Sequence, residues 1–418
     1  MKKTIFFIFL FLPYFAFNQN NISLEMCYEA AKNNHPLVSE TELNSKVEEI
    51  SLEKIATTWL PKIDAYAQAM YVSDVVELNI DIPMFEMPEL THDQYKVAVT
   101  VQQMLFDGTS TSYRKELQQA QTEIDNKAVE VKLYSIKEQV ATAYFGILFL
   151  QEQEQLMLNV MEELKTQQKR IATGIENGVL LPMSADILEV EVLKTEQKII
   201  EIRAAKNSGL QTLNVLTGQN FDENSQLQIP ENNNTAQGTR PELLLFEAQK
   251  NYFSATSNLV TTQRLPMAFA FGEFGYGKPG LNMLSNTFDT YYTVGVKVTW
   301  NIYDWNNSNR EKQLIEVYSE KINHQEELFT RSQTIVNQQQ QQNLEKLQQL
   351  MEKDQQILDL RTRIKNTAAN QLENGTISST DYITELNAET QARISLELHK
   401  IQLQQEVENM RITQGSTN

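Results

Sequence analysis

The sequence has 418 residues, and its 54 acidic against 36 basic side chains give a formal charge of −18, which argues against nucleic acid as a partner. A lone cysteine, Cys27, excludes an internal disulfide, and the four histidines (His35, His92, His324 and His399) lack metal-ligand spacing. No stretch after the first residues is apolar and long enough for a membrane helix, so any integral contact with a bilayer would have to use strands.

Residues 1–19 read as a signal peptide. Lys2 and Lys3 give the positive start, Ile5 to Leu12 the apolar run, and cleavage is expected around residues 17–20. Loss of the two lysines takes the charge to about −20.

A first repeat is predicted over 20–217. Residues 23–58 read as helix, capped by Ser23, bent or restarted at Asn34-His35-Pro36 and ended by Leu60-Pro61. Within 61–106 the period changes to alternation: Ile63 to Val72 forms one strand, residues 75–92 a loop, and Tyr95, Val97, Val99 and Val101 the apolar face of a second. A helical hairpin is predicted over 109–217. Its first arm, from Thr109 to Ala172, holds no proline and would be roughly 95 Å long. Gly174, Gly178 and Pro182 break it, and Ser184 caps the return to Leu216.

Residues 218–240, rich in Asn, Gln and Gly, read as a linker. A second repeat, 241–418, runs through the same plan. A helix over Pro241–Thr262 ends at Leu265-Pro266, two strands lie within 265–304, and a helical hairpin covers 306–413. Tyr292, Val294, Val296, Val298 and Trp300 share one strand face. Tyr291, Thr293, Gly295, Lys297 and Thr299 share the other. One constant offset relates the copies: Tyr95-x-Val97-x-Val99-x-Val101 and Leu105-Phe106-Asp107 return as Tyr292-x-Val294-x-Val296-x-Val298 and Ile302-Tyr303-Asp304. The same offset carries Glu176-Asn177-Gly178 onto Glu373-Asn374-Gly375. Two landmarks in one register indicate a tandem duplication.

The valine strands alone fit a soluble sandwich as well as a lipid-facing surface. Export and the very long helices, which have no globular core to serve, favour lipid. Nothing in the chain has catalytic, phosphate-loop or metal spacing, so no enzyme activity and no cofactor is expected.

The ordered, duplicated landmarks resemble the TolC-like outer-membrane efflux proteins along essentially the whole chain after the signal peptide. That resemblance implies a mixed α/β membrane protein, mainly α. It also implies a homotrimer whose four strands per subunit close a twelve-stranded outer-membrane barrel, with a long periplasmic helical tunnel below and the 218–240 linker in a belt around it. It implies an exit duct for a tripartite efflux or type I secretion system, served by a periplasmic membrane-fusion adaptor and an inner-membrane pump of RND or ABC type. Gly174, Asn177, Gly178, Val179, Leu180, Asn374, Gly375 and Thr376 would lie at the periplasmic tip as adaptor contacts, and Asp186 and Asp381 near the gate. Tyr95, Val97, Val99, Val101, Tyr292, Val294, Val296, Val298 and Trp300 would face lipid. The competing expectation is an exported periplasmic coiled-coil protein without a channel.

Overall fold

A computed structural model describes residues 21–75, 91–230, 238–283 and 285–415. The signal-peptide expectation, most of the 75–92 loop and part of the linker lie outside them. In chain order the elements are β1 (Asn21–Ile22), α1 (Leu24–Asn34), α2 (Leu37–Ala56), a 3-10 turn at Thr57–Trp59, β2 (Lys62–Tyr71), β3 (Asp93–Phe106), α3 (Ser110–Glu176) and α4 (Met183–Thr217). There follow β4 (Gln226–Leu227), α5 (Pro241–Thr262), β5 (Met267–Lys278), β6 (Asp289–Thr299), α6 (Asn307–Glu373) and α7 (Ser379–Thr413). No described helix is long and apolar enough to cross a membrane.

The chain divides into two compact units. The first takes the described residues of Met1–Val38, Val129–Pro241 and Leu328–Asn418. Its helices pack around two apolar cores. One gathers Ile22, Cys27, Val140, Tyr144, Phe145, Leu213 and Leu227; the other gathers Leu164, Ile171, Leu188, Leu372, Tyr382 and Leu386. Tyr144 explains how the chain start and the linker are fastened. Its buried hydroxyl lies 2.7 Å from the Ile22 carbonyl and 2.6 Å from that of Gln228, beside the parallel pairing of β1 with β4. The linker is therefore not uniform coil, because β4 satisfies backbone groups that would otherwise be orphaned on burial. Burial, with Glu25 nearby, pushes the Cys27 thiol up to about 12, so it stays protonated and inert.

The second unit comprises Ser39–Ala128 and Glu242–Glu327. It carries a four-stranded antiparallel sheet in the order β2-β3-β5-β6. The two predicted strand pairs thus join into one sheet through β3 and β5, a pairing between the two copies that no turn enforces.

Both copies turn from sheet to long helix in the same way. Gly108 and Thr109 take positive φ, as do Trp305 and Asn306 at the matching positions. Asp107 Oδ2 then accepts from the Thr111 amide at 2.6 Å, and Asp304 Oδ2 from the Ser308 amide at 2.9 Å. Each aspartate satisfies an orphan donor of the first helical turn and places negative charge at the positive end of the helix dipole. This is the physical content of the Phe-Asp and Tyr-Asp landmarks.

At Pro36 the 23–58 helix restarts rather than bends, giving two helices, because Pro36 lacks the donor to continue α1 and His35 turns to extended backbone. Other boundaries differ from the sequence reading. Gly174 does not break α3, which runs to Glu176; a helix tolerates an interior glycine at a modest cost. The last strand stops at Thr299, so Trp300 lies one residue beyond it.

Candidate functional site

Two regions carry the predicted functional residues. The first is the sheet. Its hydrogen-bonded register places Ala65, Val99, Phe274 and Tyr292 in one cross-strand row, with Ile63, Val101, Gly272 and Val294 in the next. Val97 and Tyr276, then Ala270 and Val296, extend this face along the strands. Paired residues share a face, so the valines of the two copies, and the alanines of β2, form a single apolar surface. Tyr95, Val97, Val99, Val101, Tyr292, Val294, Val296, Val298 and Trp300 are all exposed in the isolated chain. Val296 leaves 66% of its surface uncovered. Soluble monomers rarely expose an apolar face that runs across four strands.

Aromatic residues gather at both ends of the strands. Tyr71 stacks on His92 (5.5 Å between ring centroids), and Phe288 stacks on Tyr276 (5.5 Å) and Tyr95 (6.2 Å). At the other end lie Trp59, Phe106, Trp300, Tyr303 and Trp305, with the Trp300 indole donating to the Arg264 carbonyl at 3.0 Å. Amphipathic rings in this position suit the polar boundaries of a bilayer. The opposite face carries the polar and charged side chains, with Phe269 and Phe271 of β5 among them. The Lys96 ammonium lies 2.8 Å from Glu273 Oε1, and the Tyr291 hydroxyl donates to the same carboxylate at 2.9 Å.

The second region is the pair of turns at Glu-Asn-Gly, both in the first unit. At the first turn Gly178 takes φ +70°, and the amides of Val179 and Leu180 both donate to the Gly174 carbonyl, at 2.9 and 3.2 Å. Leu180 folds back over Gly174, where a Cβ would come within 2.9 Å of it. At the second turn Gly375 takes φ +69°, and Thr376 donates to Gln371 through both its amide and its hydroxyl. Glycine satisfies the left-handed position that ends each helix. The two turns also meet: a Cβ on Gly375 would lie 3.3 Å from Val179.

The helix starts beyond the turns differ. Ser378 caps α7 in a reciprocal box with Asp381, whose amide donates to the Ser378 hydroxyl at 3.2 Å while its carboxylate accepts from the Ser378 amide at 3.0 Å. Hydrogen bonds to the carboxylate, from the Ser378 hydroxyl at 2.7 Å and then the Ser378 amide, hold the Asp381 carboxyl below its ordinary range. Ser184 does not cap α4 as expected. That helix starts at Met183 behind Pro182, whose fixed φ suits a first turn, and no side chain accepts there. Asp186 sits exposed in this first turn. Asp381 also lines a groove of about 620 Å³ between α6 and α7, with Leu360, Ile364 and Glu385 among its walls.

Two features of this region lie beyond the sequence reading. Leu181 and Met183 join Val179 as exposed apolar side chains, with 69%, 62% and 55% of their surfaces free. Their clustering around Pro182 is the sequence signal that could have found them. The other feature is a set of ties between the hairpins. Glu163 on α3 takes the Lys365 ammonium at 2.9 Å and the Tyr382 hydroxyl at 3.3 Å, and Arg170 pairs with Glu373. Burial first, and then the Glu163 carboxylate, push the Tyr382 phenol well above its ordinary range. Partners so far apart in sequence leave no local signal.

Comparison with known proteins agrees with this geometry. Residues 27–219 match the family of outer membrane efflux proteins. No curated protein sequence matches the chain. Solved structures similar in fold include CusC, a transmembrane channel (TM-score 0.68, 11% identity, covering 94% of this chain and 92% of that one). The CmeC outer membrane channel of Campylobacter jejuni aligns with TM-score 0.64 and 14% identity, over 94% of this chain and 85% of that one. VceC, an outer membrane protein of Vibrio cholerae, gives 0.65 and 12%, over 94% and 96%. An apolar sheet face rimmed by aromatics and duplicated long helical hairpins agree with both comparisons: residues 27–219 match the outer membrane efflux protein family, and the chain has the TolC-like fold of these outer-membrane channels.

Proposed function

We propose that three copies of this chain pool their sheets into a twelve-stranded barrel, which serves as the exit duct of a tripartite efflux or type I secretion assembly. The observation that carries the reading is the sheet itself. It is apolar on one face and carries its charged side chains on the other, and β2 and β6 have open edges among the described strands. Four strands cannot close on themselves, and in a bilayer every unpaired edge group costs several kcal/mol. Edge-to-edge joining of β6 to β2 of the next copy would satisfy all of them. Twelve strands fall between the roughly eight that side chains fill and the 16–18 that leave a wide aqueous channel. The polar face would line the bore.

The long helices would form the tunnel in the periplasm. The Glu-Asn-Gly turns would be its tip and meet an adaptor. Gly174, Asn177, Gly178, Val179, Leu180, Asn374, Gly375 and Thr376 are the proposed contacts, joined by Leu181 and Met183. Asp186 and Asp381 are proposed near the constriction. The duct itself does no chemistry; an inner-membrane pump would drive transport, and an adaptor would open the tip only by its differential affinity for the open state.

Extraction from membranes, followed by mass in detergent with and without boiling, tests the assembly. A species near three chain masses that collapses to one on heating is the expected result; a soluble monomer or elongated dimer would leave an exported coiled-coil protein. The variant Val296→Arg sharpens the test. A lipid-facing cation costs about 2–4 kcal/mol at the bilayer midplane, and here it would be repeated in each of three subunits. The trimer should then be nearly absent from membranes, and a normal yield would show that Val296 does not face lipid.

A further inference from the structure

On the polar face of the sheet, one residue from each of the four strands meets at a single carboxylate. Glu273 of β5 takes the Lys96 ammonium of β3 at 2.8 Å, the Tyr291 hydroxyl of β6 at 2.9 Å and the Tyr66 hydroxyl of β2 at 3.3 Å. The Lys96 ammonium lies 5.4 Å from the Tyr66 ring centre and 5.2 Å from that of Tyr291, held between two aromatic rings. The backbone register makes room for this. Tyr66, Ala98, Gly275 and Tyr291 form one row, and the small residues in its middle let both rings lie inward across the sheet. A Cβ on Gly275 would sit 2.4 Å from the Tyr291 ring.

Charge on this face is balanced. Lys62, Lys96 and Lys297 stand against Asp64, Glu273 and Asp289, and Lys62 pairs with Asp64 at 3.2 Å. That balance is unexpected on a chain whose formal charge is −18. We propose that the Lys96–Glu273 pair is the charge-selectivity element of the barrel bore, a belt kept neutral so that cargo of either sign passes. The proposal rests on the polar face lining the bore. Side chains of the pair are 37% and 22% exposed, so their fields reach the water in front of them. At about 0.01 M salt the Debye length is about 30 Å, long enough for an unbalanced belt to be felt by a passing ion.

The test is the reversal potential of reconstituted channels in a KCl gradient near that salt concentration. Glu273→Gln leaves uncompensated lysines and should shift it toward the chloride equilibrium potential. Lys96→Gln leaves uncompensated carboxylates and should shift it toward that of potassium. The double variant should return to the unsubstituted value. Each variant is first shown to form the heat-sensitive trimer, and if Glu273→Gln or Lys96→Gln fails to assemble, Thr293→Lys or Thr293→Glu, respectively, beside the pair replaces it and should shift the potential in the same direction. Unchanged potentials, or shifts of one sign in both single variants, would overturn the proposal.

A probe at Thr293, which pairs with Glu273 across β5 and β6, separates this failure from that of the underlying reading. Thr293→Cys should react with charged, membrane-impermeant methanethiosulfonates, while buried Cys27 stays silent. Reaction of the introduced thiol with unmoved potentials would sink the selectivity role alone. Protection of that thiol from both reagent charges would sink the bore assignment, and the proposal with it.

Discussion

The two Glu-Asn-Gly turns, alike in sequence, solve the same problem by different means. Each ends a long helix at Glu-Asn-Gly with the glycine in left-handed backbone. The second returns at once into a capped helix, with Ser378 and Asp381 satisfying each other's backbone. The first has two more residues between Val179 and Ala185 than separate Thr376 and Thr380. It has no capping side chain, and presents Val179, Leu181 and Met183 to solvent. Backbone hydrogen bonds close both turns, but the second adds a side-chain cap, whereas the first adds the packing of Leu180 over Gly174. A duplicated fold can thus keep its backbone solution while surface chemistry diverges.

The largest effect should come from the tie on which the second hairpin leans. Glu163→Gln leaves Lys365, whose side chain is only 9% exposed, without its counter-charge and weakens the Tyr382 bond. Removing one partner of a mostly buried pair costs about 2–3 kcal/mol, allowing for the partial exposure of Glu163. A clear drop in the midpoint for thermal loss of helix signal should follow. An unchanged midpoint would show that the hairpins do not depend on each other there.

Glycine substitution should separate the tips next. Gly178→Ala meets open space and bears only the left-handed backbone penalty, about 1–2 kcal/mol. Gly375→Ala bears the same penalty and also presses on Val179 at 3.3 Å, so it should cost more. Equal losses in chemical denaturation would mean that the contact between the tips relaxes freely.

A smaller contrast lies in the serines. Ser378→Ala should lose about 1 kcal/mol with the N-cap, while Ser184→Ala, inside the first turn of α4, should lose little. Amide hydrogen exchange over each tip reads the difference directly, and equal effects would argue against the asymmetric capping.

The smallest effect is on pH. The Asp381 carboxyl is held low in the folded chain, so the stability it contributes is present above its unfolded value of about 3.9. That contribution disappears as pH falls through the lower folded value. Exchange over Thr376–Tyr382, corrected for intrinsic rate, should therefore quicken below about pH 4 and lose this dependence in Asp381→Asn. Acid sensitivity that persists in the variant would point to another group.

Much of this was legible in the sequence because it depends on local rules. Alternation fixed the faces of Val97 to Val101 and Val294 to Val298, and absence of proline gave the long helices their extent. Glu-Asn-Gly marked both turns because only glycine enters left-handed backbone without strain. Local rules also misled. Gly174 read as a break although hydrogen bonds on either side carry α3 through it, and Ser184 read as a cap although α4 already starts at Met183, behind Pro182.

The amino-acid sequence by itself determined that this is a duplicated chain of long helices with strands of one apolar face, since periodicity, caps and breakers act within a few residues. Tertiary structure decided which partners meet. Pairing of β3 with β5 merged the two copies into one sheet, and Glu163 found Lys365 and Tyr382. Side chains from three strands converged on Glu273 of the fourth. Such contacts are set by how elements pack, and side chains far apart in the chain carry no mark of the neighbour that packing will give them.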